Sequence, residues 1–246
     1  MLTFSHFSVV FVHYIKRMLR NPLNLLILVG LPLGIILINT LALANTLPEG
    51  LAFSDLPAAL FITLLITLSF QFFSSEMLLE FLNYDFRGEV KNRLFMAPVP
   101  RLVYLFAVTL ASLLVSLVQG LLIFMVMMIG FGLSFGPVYI WLPALFLISL
   151  LAQLIAVLIV LFTKTKQMGT SISMGVGFGL MALSGGLFIP VNVIPPFLYE
   201  ASPVTLARYA ILEGGSVALT NLSILGGLIL LAGLMITLRS KFSPTF

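Results

Sequence analysis

The side chains that most often do chemistry in proteins are scarce in this sequence. It has no cysteine, and its two histidines, His6 and His13, both lie near the N-terminus. Glu76 and Glu80 lie at the end of an apolar stretch, and no acids are paired inside one. Acid–base, nucleophilic and metal-assisted catalysis need such groups close together. The phosphate-binding pattern Gly-x-x-x-x-Gly-Lys-[Ser/Thr] is also missing. We therefore predict that the chain is not an enzyme, with no catalytic residue, metal or cofactor of its own.

One segment interleaves both charge signs, between Glu76 and Arg101. The residues that stand out in it are Asp85, Arg87, Glu89, Lys91, Arg93 and Leu94. We expect a short helix here, closed by Pro98, because an isolated strand would leave its edges unpaired. Two interpretations stay open at this point, a solvated linker and a surface on which a partner docks.

The N-terminal segment has a strong helical pattern. One face would carry aromatic residues and a methionine at three- and four-residue steps, namely Phe4, Phe7, Phe11, Tyr14 and Met18. Basic residues crowd its C-terminal end, namely Lys16, Arg17 and Arg20. The pattern predicts an amphipathic interfacial helix within residues 1–22, with aromatic side chains toward lipid and charges toward phosphates. It is either a topology anchor or a lever that grips a moving partner.

Composition places these segments in a membrane protein. The chain of 246 residues is 61% hydrophobic and 8% charged, with a mean hydropathy of +1.20. So few charges exclude a soluble globular domain, and so much apolar surface excludes disorder. A net charge of +4 would suggest nucleic acid only in a soluble protein. We predict one all-α domain over 1–246 with six transmembrane helices at 23–43, 56–75, 102–131, 138–162, 172–188 and 222–238.

The basic residues predict the orientation. Alternate connections hold 11 of the 12 lysines and arginines, namely Lys16, Arg17, Arg20, Arg87, Lys91, Arg93, Arg101, Lys164, Lys166, Arg239 and Lys241. Lysine and arginine are retained on the cytoplasmic side. Both termini are therefore expected in the cytoplasm.

Residues 191–220 should lie on the outer side. This stretch is too apolar for an ordinary loop and too interrupted by proline to span, so we predict one or two short re-entrant helices before the last span. Arg208 lies here, with Glu200 and Glu213 as candidate neutralising partners.

Few strongly polar residues fall inside the predicted spans. Asn39, Gln71 and Gln119 are candidates for a translocation path. The alternative is that they form hydrogen bonds between helices. Because ion-coupled carriers usually keep ionisable residues near the membrane midplane, proton or sodium coupling fits poorly.

Two motifs, taken in order along the chain, resemble those of type-2 ABC exporter permeases. The first is the run from Asp85 through Arg87-Gly88 to Pro98-Val99-Pro100-Arg101, which is similar to the family's charged segment before its third span. The second is the Ser-Gly-rich stretch from Ser184 to Pro190, followed by Ser202-Pro203 where the family usually has Asn-Pro.

This resemblance implies a function. The chain would be the permease subunit of an ATP-driven exporter in a bacterial cytoplasmic membrane, paired with a second permease subunit as homo- or heterodimer. Separate ATPase subunits would bind ATP and Mg²⁺ and dock on a coupling helix at Asp85–Pro98, next to the N-terminal helix. The short chain resembles exporters of amphipathic drugs, antibiotics or peptides. The alternatives are a polysaccharide, teichoic-acid or lipid exporter, and an ATP-independent carrier or channel.

Overall fold

The structure is a computed structural model, and it describes residues 2–20, 26–44, 57–88, 100–185 and 191–242. Within these ranges the chain is helical, with no β-strand. The helices are α1 Leu2–Leu19, α2 Leu31–Ala44, α3 Pro57–Arg87, α4 Arg101–Phe131, α5 Val138–Phe162, α6 Lys166–Leu183, α7 Pro196–Ala201, α8 Pro203–Glu213 and α9 Gly215–Phe242. A π-helical turn, Leu26–Gly30, leads directly into α2.

Helix α3 is the centre of the bundle. It packs against α2, α4, α5, α6 and α8, while α1 packs on α4 and α9 packs on α5 and α8. Its buried side chains, such as Leu64 and Leu68, join a large apolar core with Phe124 of α4 and Trp141 of α5. Helix α9 is mostly exposed within this one chain.

Four of the predicted spans correspond to helices that are long and apolar enough to cross a bilayer. These are Ala58–Arg87, Leu102–Phe131, Val138–Phe162 and Gly215–Arg239. For the predicted span at 23–43, the described residues contain a shorter apolar helix, Leu26–Asn39. For the one at 172–188 they contain α6, which begins earlier than predicted. The count of six spans and the orientation of the termini stay predictions.

Helix α3 is longer than predicted. The charges at Glu76 and Glu80 suggested an end at residue 75, but the helix continues to Arg87. Apolar residues at four-residue steps, Leu78, Leu82 and Phe86, keep one face buried beyond the predicted end of the span. Residues 76–87 therefore belong to this helix rather than to the connection that follows it.

Glycines shape the turn between α4 and α5 and one helix contact. Gly132 ends α4 in the left-handed region, with φ of 67°, and the Leu133 N–H donates to the Met127 carbonyl, as in a Schellman cap. In α6, a Cβ on Gly177 would lie 3.0 Å from the Phe73 ring, whereas one on Gly175 would meet nothing within 4 Å. Gly177 thus allows α6 to approach α3 closely.

The stretch predicted to lie on the outer side contains the short helices α7 and α8. Proline begins both, at Pro196 and Pro203, where a missing N–H costs nothing. Whether these helices enter the bilayer stays a prediction.

Candidate functional site

The C-terminal end of α3 holds a buried carboxylate. Asp85 is 3% exposed, and its Oδ2 atom accepts hydrogen bonds from the Tyr14 hydroxyl of α1 and, at 2.6 Å, from the Tyr104 hydroxyl of α4. Its Oδ1 atom lies 3.3 Å from Nη1 of Arg17 in α1. We name these four residues the Asp85 cluster. It joins three helices at the point where α3 ends.

The buried carboxylate of Asp85 has both hydrogen-bond donors and a cation around it. A buried carboxylate is costly unless hydrogen bonds and an opposite charge compensate it. Burial, and then the negative charge of Asp85, raise the pKa of Tyr14 above its ordinary value. The Tyr14 hydroxyl therefore stays protonated and donates a hydrogen bond to Asp85. The Arg17 guanidinium also lies 4.4 Å from the centre of the Phe81 ring, a cation–π contact that holds it beside the carboxylate.

The patterned face of α1 meets protein, which corrects the expectation that it lies against lipid. Tyr14 and Met18 are buried. Phe7 and Phe11 stack on each other, and the Phe7 ring lies 5.8 Å from that of Phe106 in α4. The side chain of Lys16 is exposed, and Phe4 falls in the first turn of α1. The hydrophobic face of α1 is thus used for packing on α4.

Arg87 fastens the end of α3 to the end of α5. Its Nη1 donates to Asn83 Oδ1 at 2.5 Å, and its Nη2 donates to the carbonyl oxygens of Val160, at 2.6 Å, and Thr163. Val160 lies in the last turn of α5 and Thr163 is the residue that caps it, where carbonyl groups lack partners within the helix. A cation at this position also suits the negative end of the helix dipole.

The structure thus brings Asp85 of the predicted coupling segment together with Tyr14 and Arg17 of the N-terminal helix. It places Arg87 of the same segment against the end of α5 instead. Both coupling residues lie in α3 rather than in a separate short helix. The other predicted coupling residues, namely Glu89, Lys91, Arg93 and Leu94, lie outside the described residues.

The polar residues of the predicted path have different surroundings. Gln71 is fully buried, and its Oε1 accepts hydrogen bonds from Ser116 of α4 and Ser149 of α5. Gln119 donates to the Leu28 carbonyl at 2.6 Å. These are the interhelical hydrogen bonds raised above as the alternative. Asn39 is half-buried and donates to a carbonyl of its own helix.

Arg208 is fully buried in α8, but its partners differ from those expected. It donates to the Ser184 carbonyl at 3.1 Å and to the Tyr199 hydroxyl, and its guanidinium lies 4.1 Å from the centre of the Phe61 ring. The ion pairs found in the described part of the chain do not include Arg208, so pairing with Glu200 or Glu213 is not seen. Ring and carbonyl contacts stabilise this cation instead.

Sequence reasoning missed Tyr104, Asn83 and Thr163. The four-residue spacing of Asn83 and Arg87 was readable, because such residues are neighbours on a helix. Tyr104 lies near the start of an apolar span, where tyrosine is typical of a membrane interface. Neither signal identifies the partner on a distant helix.

A comparison with protein-family models gives one match, to the ABC-2 type transporter, over residues 5–214. A search of curated proteins and a search of solved structures each gave no match. The family match spans α1 to α8 and includes both the Asp85 cluster and Arg87. The chain therefore belongs to the ABC-2 type transporter family and is a multi-pass membrane permease domain of that family.

Proposed function

We propose that the chain is the permease subunit of an ATP-driven exporter in a bacterial cytoplasmic membrane. It works with a second permease subunit and with separate ATPase subunits, which bind ATP and Mg²⁺. Its substrate is an amphipathic drug, antibiotic or peptide that leaves the cell. Asn39 is retained as a residue of the translocation path.

The observation that carries the proposal is the double attachment at the end of α3. Asp85 ties this end to α1 and α4, and Arg87 ties it to α5. The connection after Gly88 therefore leaves from a point that is fixed to three other helices. A force applied to this connection is passed to α3, which packs against most of the bundle.

The ATPase subunits are proposed to dock on the connection, with Glu89, Lys91, Arg93 and Leu94 as contact residues. Asp85 and Arg87 transmit the movement from within the bundle. Helix α1 takes part in transmission because Tyr14 and Arg17 bind Asp85.

The test is co-purification from mild detergent. The tagged wild-type protein and the E89K/K91E double variant are compared, with E200K as a matched charge reversal on an exposed residue of α7. Wild type and E200K should retain a soluble subunit with ATPase activity. The E89K/K91E variant should lose it while eluting from size exclusion at the wild-type volume.

Two results would contradict the proposal. The first is an ATPase subunit that stays bound to the E89K/K91E variant. The second is a wild-type protein that never retains an ATPase and transports equally well in cells depleted of ATP, which would indicate an uncoupled carrier or channel.

A further inference from the structure

A cleft of about 330 Å³ opens between the π-helical turn, α3 and α6. Its volume falls within the ordinary range for small-molecule sites. Its lining combines apolar side chains with charged and hydroxyl groups. The residues used below are Ile27, Phe73, Glu76, Glu80, Lys166 and Thr170.

The lining of the cleft includes two carboxyl groups and one amine, those of Glu76, Glu80 and Lys166. Lys166 Nζ lies 3.5 Å from Glu80 Oε1, and both side chains are more than half exposed, so this pair is weak. Glu76 is half-buried, and its Oε1 atom has no hydrogen-bond partner among the described residues. Two carboxylates thus face one ammonium group. Glu76 takes part in neither ion pair found among the described residues, and a partly buried carboxylate is stabilised by a cation.

The apolar part of the lining is preformed. The Phe73 ring lies 5.2 Å from that of Phe70 and 5.0 Å from that of Phe178 on α6. Gly177 packs directly against it, and a Cβ at this position would lie 3.0 Å from the ring. A fixed aromatic ring near a partly buried carboxylate favours a ligand with an apolar body and a positive charge.

We propose that this cleft binds the substrate and selects hydrophobic cations, such as organic ammonium, guanidinium or phosphonium compounds. The assignment of the bound molecule as substrate rests on the proposed function above. Glu76 is the residue that provides the charge selectivity, and Phe73 contacts the apolar body.

The proposal is tested by equilibrium binding to the purified full-length protein in a neutral detergent, without ATP or ATPase. The probe is radiolabelled tetraphenylphosphonium, and tetraphenylborate serves as the anion of the same shape. We expect tetraphenylphosphonium to bind and tetraphenylborate to bind at least about tenfold more weakly. Equal binding of the two ions would overturn the proposal.

Two substitutions should act in opposite directions. E76Q should weaken binding of tetraphenylphosphonium about tenfold, the usual order for loss of a partly desolvated charge partner. K166Q should strengthen it roughly threefold, because it removes a positive charge and frees Glu80. E213Q, on an exposed carboxylate of α8, is the matched control and should bind as the wild type does.

Two results would overturn the assignment. The first is an E76Q variant that elutes normally from size exclusion and binds tetraphenylphosphonium with unchanged affinity. The second is a K166Q variant whose affinity for tetraphenylphosphonium is unchanged or weaker. If E76Q does not fold, the K166Q result still decides. Since no ATPase is present, cation binding is measured independently of co-purification. The cleft proposal can therefore be refuted while the permease proposal holds, and the permease proposal can be refuted while the cleft proposal holds.

Discussion

Replacing Tyr104 by phenylalanine removes one hydroxyl group from the Asp85 cluster and leaves the ring in place. Asp85 is 3% exposed and Tyr104 donates to it at 2.6 Å. Hydrogen bonds to charged groups contribute about 1.5–3 kcal/mol. We expect Tyr104→Phe to lower the free energy of unfolding by about 2 kcal/mol, because the carboxylate keeps its bond from Tyr14.

The double variant tests whether both hydroxyls serve one oxygen. With Tyr14→Phe added, the contact that Asp85 keeps among the described residues is the one of 3.3 Å to Arg17, whose side chain is 29% exposed. The buried charge is then poorly compensated. The double variant should cost about 1 kcal/mol more than the sum of the single variants.

The assay is unfolding by sodium dodecyl sulfate in mixed micelles, followed by fluorescence. The chain has one tryptophan, Trp141, which is 7% exposed and packs on Phe124, so it reports on the core. Tyr139→Phe is the matched control, since Tyr139 is 77% exposed and should give a change close to zero. A loss in Tyr104→Phe no larger than in this control would refute the cluster. If the losses in the two single variants add up to the loss in the double variant, the claim that both hydroxyls serve one oxygen of Asp85 is refuted.

Three further predictions use the same unfolding assay. Gln71→Leu should cost about 1 kcal/mol, since interhelical hydrogen bonds in membranes are individually weak and both of its serine partners keep another bond; a loss above about 3 kcal/mol would contradict this account. Gly177→Leu should destabilise strongly, because its side chain would collide with Phe73, whereas Gly175→Leu should be nearly neutral; equal effects would exclude the close approach of α6 to α3. Arg87→Lys should cost about 1–2 kcal/mol, because an ammonium group cannot replace the planar guanidinium group that donates to two carbonyls. Wild-type stability of this variant would show that the contact of Arg87 with the end of α5 is unimportant.

The parts of the fold that the sequence predicted are those with clear chemical boundaries. Helix α5 runs from Val138 to Phe162 as predicted. Pro137 precedes it, and Lys164, which ends the uncharged stretch that begins after Arg101, follows it. The prediction places the end of α3 too early, because Glu76 and Glu80 mark the end of the apolar span but not the end of the helix. A helix can leave the membrane and continue when one face stays buried, as Leu82 and Phe86 show.

The candidate site was predicted less well. Periodicity placed Tyr14 on one face of α1 and identified Asp85 as a residue of interest. It gave no information on the partner of either, since 71 positions separate them in the sequence. Similarly, the start of α6 at Lys166 could have been predicted, because the Thr165 hydroxyl accepts a bond from the Met168 N–H in an N-terminal cap. The prediction instead assigns Lys166 to the connection before the span at 172–188.

The length of α3 has a consequence for how a soluble protein can reach this chain. Its 31 residues extend about 46 Å at a rise of 1.5 Å per residue, whereas the hydrocarbon layer is about 30 Å thick. With its first residues at the outer boundary, roughly the last ten residues stand in the headgroup layer and beyond it. The Asp85 cluster then braces the end of α3 where it extends beyond the hydrocarbon layer. A partner can bind there without displacing headgroups, so its binding should depend little on lipid charge.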